Sequence, residues 1–181
     1  MPPDVATRAD LDRVEFQNVI DARLWAMGRT WTVDALLDTQ VLRGLHRRMF
    51  GEVWRWAGDL RLRETNVGVA PGTIPVALRD LLDDARAWCE HGTYPADETA
   101  LRLHHRLAQV HPFANGNGRH ARLCADLLVR ALGRPVFAWS GDLSGDAIGR
   151  ADVTRERYLA ALRAMDRDRE DVAALLAFAR G

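Results

Sequence analysis

Residues 111–122 read HPFANGNGRHAR, a histidine, two glycines around an asparagine, and two arginines three apart. Each of these residue types has a use in handling phosphate. An imidazole, with an ordinary pKa near about 6.5, can take a proton from a hydroxyl that attacks a bound phosphate. Gly116 and Gly118 let the backbone turn tightly and approach a ligand. A helix beginning near Gly118 leaves its first N–H groups unpaired, and with the helix dipole these make an anion site. Arg119 and Arg122 share a face of that first turn, where two forked guanidinium groups suit successive phosphates. The dipole alone favours carboxylates there, so two arginines call for an anionic partner. A Gly-rich helix connection with surface arginines and a helix-end histidine explains each feature singly. The whole set in this order argues against it, with Pro112 and Phe113 left to turn geometry and packing.

These groups need helices to hold them. Leu11, Val14, Val19, Ile20, Leu24 and Met27 predict a first helix over 9–28, stopped by Gly28. After a cap at Thr32, VDALLDTQVLRGLHRRMFG reads as one second helix ending at Gly51. Trp54 and Trp56 then read as wedges at a helix junction in the core. The stretch RETNVGVAPGTIP breaks the helical period with β-branched residues, glycines and prolines, and predicts a short β-hairpin or extended loop. The period returns from Ile74 to Gly92, and again from a cap at Asp97 to His111, where Pro112 disfavours further helix. RHARLCADLLVRALG, a loop around SGDLSGD, and two closing helices within 153–180 complete one mostly helical domain spanning 1–181.

Composition narrows the classes. With 25 basic residues against 25 acidic, the formal net charge is +0, so nothing global suggests a nucleic-acid or membrane surface. All the basic residues are arginine, which excludes lysine chemistry: no Schiff base and no phosphate-loop lysine. Cys89 and Cys124 form no CxxC pair and read as buried free thiols. The opening MPPDVATRAD lacks a signal-peptide core, and no apolar run approaches the roughly 18 residues of a membrane span, so a cytoplasmic location is expected.

HPFANGNGRHAR resembles the signature HPFx(D/E)GNGRxxR of the Fic domain. The resemblance extends outward: RMFGEVWRWAGDLR is similar to that family's VWxWAGxxR segment, and TNVGVAPGTIPVALRDLLDD falls where Fic proteins carry a target-docking hairpin, the flap. LHHRLAQVHPF resembles the helix that delivers the motif histidine. The likeness runs from about Leu36 to Leu132, and the branch it resembles is the one called mobile mystery protein B.

The resemblance implies an all-α Fic-type domain with one small β-hairpin beside the active site. It implies transfer of AMP from ATP to a protein hydroxyl with release of pyrophosphate, and Mg²⁺ or Mn²⁺ on the phosphates. By position, His111 becomes the general base, and Gly116, Asn117 and Gly118 the anion hole. Arg119 and Arg122 hold the β- and γ-phosphates, and Asn66, Val67, Gly68, Val69 and Ala70 align the target by strand-like pairing. The expected partners are ATP, an unknown target protein and an adjacent helix-turn-helix or antitoxin-like regulator in a toxin-like role.

Two features depart from the family pattern. Asn115 stands where the family has the Asp or Glu that ligates the metal, and a neutral amide is a weaker ligand for a hard cation. Many Fic proteins also carry an inhibitory (S/T)xxxE(G/N) helix. Around Glu15 the pattern fails, with Leu11 four residues before it and Phe16 after it. Other readings stay open: a Doc-like phosphotransferase, a transferase using UTP, and a degenerate module that binds nucleotide or a partner protein. A metal hydrolase built on His104, His105 and His111 has no HExxH or paired carboxylates behind it.

Overall fold

The computed structural model describes residues 7–139 and 151–181. Its helices are α1 (Arg8–Met27), α2 (Val33–Leu36), α3 (Thr39–Phe50), α4 (Ile74–His91), α5 (Ala96–Val110), α6 (Asn117–Ala131), α7 (Ala151–Arg167) and α8 (Ala173–Arg180), with a 3-10 turn at Pro71–Thr73 before α4. Helix α6 is the centre. Every residue from Leu123 to Val129 is buried, Asp126 included, as is His120 before them, so this stretch of α6 is enclosed on all sides. Helix α5, with Leu103 and Leu107 buried, packs along it, α4 packs on α5, and α1 packs on α3. The central pair delivers the motif, since α5 ends at His111 and α6 starts at Asn117.

The caps explain where elements begin. Thr7 and Asp10 form a reciprocal capping box on α1. The stretch read as one second helix is two. Asp38 accepts hydrogen bonds from the amides of Gln40 (2.7 Å) and Val41 (3.0 Å) and starts α3 afresh after Leu37 leaves helical geometry. Asp97 is not the cap of α5: the cap is Pro95, and Asp97 binds Arg180 from α8 at 2.5 and 2.9 Å. Trp54 and Trp56 are half-buried and stack on one another with centroids 5.5 Å apart, and Trp54 packs against the core just after α3.

The expected β-hairpin is corrected: no strand occurs among the described residues, and 62–70 is an irregular, mostly exposed loop. The reason lies in its partners. The inward carbonyls of Arg63 and Val69 are taken by the Arg61 side chain, leaving no facing ladder to close a hairpin. The SGDLSGD loop lies outside the described residues.

Buried ionisable groups set the response to acid. Burial holds the imidazoles of His46 at about 4 and of His104 and His120 at about 3. The unfolded chain protonates them below about pH 6.5 while the folded chain does not, so their stabilisation is complete above that pH and is lost as pH falls. Asp126 opposes this. Burial raises its carboxyl to about 6, although Arg23 Nη2 faces Oδ2 at 3.1 Å and Trp139 and Phe137 donate to Oδ1. Because the folded chain binds that proton more tightly, Asp126 gains from acid. Near pH 5.5 the four groups together predict uptake of about two protons on unfolding, hence a loss of roughly 3 kcal/mol per pH unit. Urea melts at pH 7, 6 and 5 check this; a flat midpoint would contradict it.

Candidate active site

His111 closes α5 in the left-handed region, at φ 51° and ψ 59°. A side chain with a Cβ adopts that geometry at a cost, and the surroundings hold it there. Its amide donates to Leu107 O at 3.1 Å, while Arg61 Nε donates to its carbonyl at 2.7 Å. Pro112, next in line, accepts from the Arg61 amide at 2.9 Å. The imidazole is half-buried, and its pKa is pushed below the ordinary value mainly by that burial and further by the Arg61 charge, against the Ala108 carbonyl. A neutral ring with a free lone pair is the form a proton acceptor needs.

The turn after His111 is locked from inside. Asn117 is buried, accepting from the Phe113 amide at 2.9 Å and donating to the Phe113 carbonyl at 2.8 Å. Its side chain is therefore spent on the loop, and only its backbone can face a ligand. His46, from α3, supports the same turn: its Nδ1 accepts from the Gly58 amide at 2.9 Å, so Nε2 carries the proton and donates to the Asn115 carbonyl at 3.0 Å. Its ring stacks on Phe113 with centroids 3.7 Å apart.

Gly116 sits at φ 77°, and a Cβ there would lie 2.5 Å from the Phe50 ring. Gly116→Ala therefore adds left-handed strain of about 1–3 kcal/mol and a clash with a buried ring. The expected result is a Tm lowered by several degrees and loss of AMPPNP binding by calorimetry; unchanged binding would show that this turn does not face the nucleotide.

From Gly116 the chain enters α6, whose first bond back is from His120 N–H to Gly116 O at 3.0 Å. The amides of Asn117, Gly118 and Arg119 are thus the opening donors of a fifteen-residue helix with no acidic side chain in its first turn. Arg119 lies over the Phe50 ring at 4.8 Å and Arg122 over Tyr158 at 5.3 Å. Past Gly118 the nearest group is the Tyr158 hydroxyl, 3.7 Å from where a Cβ would stand, so space remains there.

The model matched by the chain over residues 36–129 is that of the Fic/DOC family. The chain belongs to that family. Protein adenylyltransferase Fic of Drosophila melanogaster is 36% identical over 98 residues, covering 50% of this chain and 19% of the relative. The chain therefore spans about a fifth of the length of the curated relatives it matches. Among solved structures, Fic-1 (residues 134–508) of C. elegans superposes with TM-score 0.70 at 22% identity, covering 99% of this chain and 50% of the other. BepC of Bartonella tribocorum, solved with bound AMPPNP, gives TM-score 0.69 at 16% identity, covering 97% and 87%. Both share the fold.

Against the Fic signature, the structure brings His111, Gly116, Asn117, Gly118, Arg119 and Arg122 to one turn and the helix that follows it. Of the strip Asn66–Ala70, Gly68 and Val69 reach this junction. A Cβ on Gly68 would lie 2.6 Å from His111 Cβ, and the Val69 amide donates to Val110 O at 3.4 Å. Asn66, Val67 and Ala70 are exposed.

Asn115 is exposed, with its side chain bonded to the turn itself. Its Oδ1 accepts from the Gly116 amide at 2.7 Å, and no cluster of three His, Cys, Asp or Glu that could hold a metal occurs among the described residues. A neutral oxygen already hydrogen-bonded does not fit the carboxylate that Mg²⁺ or Mn²⁺ ordinarily takes.

Sequence reasoning gave no site role to His46 or Arg61, and set Glu15 aside because its surroundings fail the inhibitory pattern. His46 shows no pattern beyond its place in a helical stretch, whereas Arg61 is the last residue of the VWRWAGDLR segment that resembles the family's VWxWAGxxR, a signal that marks the position without saying what it binds. Glu15 of α1 reaches the site despite its failed motif: Oε1 lies 2.7 Å from Arg119 Nη2, and Oε2 accepts from Trp54 Nε1 at 2.5 Å. Its partner is the first motif arginine, Arg119.

Proposed function

We propose that this chain is a protein adenylyltransferase, moving AMP from ATP to a Ser, Thr or Tyr hydroxyl of a target protein. The observation that carries the reading is the junction itself: a half-buried His111 closing α5, one tight turn away from the opening amides of α6 and Arg119. The adenylyltransferase names of the matching relatives and the AMPPNP in BepC support it.

On this reading His111 accepts the hydroxyl proton as the oxygen bonds to the α-phosphorus. The bond from that phosphorus to the α–β bridging oxygen breaks, and pyrophosphate leaves with the electron pair. The amides at 117–119 and the side chains of Arg119 and Arg122 face the charge that develops on the phosphates. The strip 66–70 aligns the target backbone. Asn115 offers no carboxylate to Mg²⁺ or Mn²⁺, so either metal would depend on the nucleotide's own phosphates for its charged ligands, and Glu15 competes with those phosphates for Arg119. The mobile mystery protein B branch, with a helix-turn-helix or antitoxin-like regulator, and a cytoplasmic setting complete the proposal.

Asn115 favours a second reading, a module that binds nucleotide without chemistry. Incubation of the protein with α-labelled and γ-labelled ATP separates the readings. Protein-bound α-label is expected. Transfer of γ-label instead would make the chain a Doc-like phosphotransferase, and AMPPNP binding without any label, with ATP or UTP, would favour the module.

A further inference from the structure

Arg61 is 5% exposed, and among the described residues no carboxylate pairs with its guanidinium. It donates instead to three backbone carbonyls: Nε to His111 at 2.7 Å, Nη1 to Arg63 at 2.9 Å, and Nη2 to Val69. Two of these belong to the two ends of the 63–69 loop, and the third belongs to the residue bearing the candidate base. Burying a cation is unfavourable unless its donors are satisfied, and here all of the named donors are satisfied by main chain from both sides of one seam. The backbone repeats the stitch, since the Arg61 amide donates to Pro112 O and the Val69 amide to Val110 O. Gly68, at φ 112°, permits the approach: a Cβ there would lie 2.5 Å from Arg61 Nη2 and 2.6 Å from His111 Cβ.

We infer that Arg61 is a positioning residue whose guanidinium fastens the 63–69 loop to the backbone of His111, so that the loop expected to align the target and the base that serves it are held as one unit. The inference rests on the transferase reading above for its consequence, though not for its geometry. The fork is essential to it: five planar donors reach three carbonyls in different directions, and the point charge of lysine cannot. Arg61 has no contact with the opening amides of α6, so nucleotide binding is independent of it. The groups acting on the His111 ring are the Ala108 carbonyl, from its own helix, and the Arg61 charge from the facing segment.

The test uses Arg61→Lys, Arg61→Gln and Gly68→Ala, the last leaving Arg61 intact while wedging the same seam. Each is made in the full chain carrying Glu15→Gly, to leave Arg119 uncovered. Amide hydrogen exchange is followed at 63–69 and at 110–113, with AMPPNP affinity by calorimetry and the initial rate of self-labelling from α-labelled ATP. In all three variants exchange is expected to rise at both segments together. AMPPNP affinity stays within about twofold, and labelling falls by about a hundredfold, the cost of displacing a reacting group by about an ångström. Lysine does not rescue. Faster exchange in the loop with 110–113 unchanged, full labelling by Arg61→Lys, or AMPPNP affinity lost in step with labelling would each overturn the inference. If the parent protein transfers no label, the transferase reading fails, while the paired rise in exchange still decides whether Arg61 joins loop and base.

Discussion

Glu15→Gly is expected to raise nucleotide transfer by about ten- to a hundredfold at limiting ATP. Glu15 and Arg119 are both largely shielded, with side chains 13% and 21% exposed, and their 2.7 Å contact ties up a guanidinium at the mouth of the α6 amides. A charge pair this sheltered is screened far less than a surface pair, so a phosphate seeking Arg119 must displace a carboxylate first. Relief of about 1.4–2.8 kcal/mol corresponds to that range. The Trp54 indole adds to the hold by donating to the other carboxylate oxygen. Glycine within α1 costs about 1 kcal/mol of helix propensity and strips Trp54 of its acceptor, so Tm should fall by a few degrees while activity rises. That opposition separates release of a competing contact from general stabilisation. Glu15→Gln, neutral but still able to accept from Trp54, should lie between. The readout is label incorporated against ATP concentration, with AMPPNP affinity alongside; a rate equal to or below the parent's would show that the pair does not compete with nucleotide.

His111→Ala is expected to abolish transfer to within about 10²- to 10⁴-fold below the parent, the usual worth of a positioned base, while AMPPNP affinity and Tm change little. The backbone bonds that hold the turn use the His111 amide and carbonyl, which alanine retains. The pH profile provides a second check. Burial and Arg61 favour the neutral ring, so its proton is lost at a lower pH than in the unfolded chain. Activity should therefore persist as pH falls through 6.5, with the acid limb of kcat/KM centred below that ordinary value. The Arg61→Gln variant should move the limb upward, since a positive charge beside the ring is gone.

What the sequence made legible follows the range of the forces involved. The ends of α1, α4, α5 and α6 were readable because their signals are local: Gly28 after Met27, Gly92 at φ 58°, Pro112 after His111, and the glycines around Asn117. The break at Leu37 was not, because the apolar spacing continues through it and only Asp38, a residue equally at home in a helix, restarts the chain. The hairpin was misread for the opposite reason: β-branched residues and glycines were present, but a buried arginine from outside the strip takes the carbonyls a ladder would need. The motif residues of the site share a dozen positions and were all visible. Glu15, His46 and Arg61 act across 104, 69 and 50 residues of chain, so local sequence does not show their partners: Arg61 ends the VWRWAGDLR segment and Glu15 fails the inhibitory pattern, yet neither names what it meets.

The most direct test of nucleotidyl transfer through His111 is intact-mass analysis of purified Glu15→Gly and of Glu15→Gly/His111→Ala, each incubated with ATP and Mg²⁺ or Mn²⁺ alone and with a cell lysate. The expected result is a gain of one AMP, with α-label and no γ-label, on the single variant or on a lysate protein, absent in the double variant. Equal AMP incorporation by both proteins would contradict His111 as the base, and incorporation by neither, with AMPPNP still bound, would contradict the transferase itself.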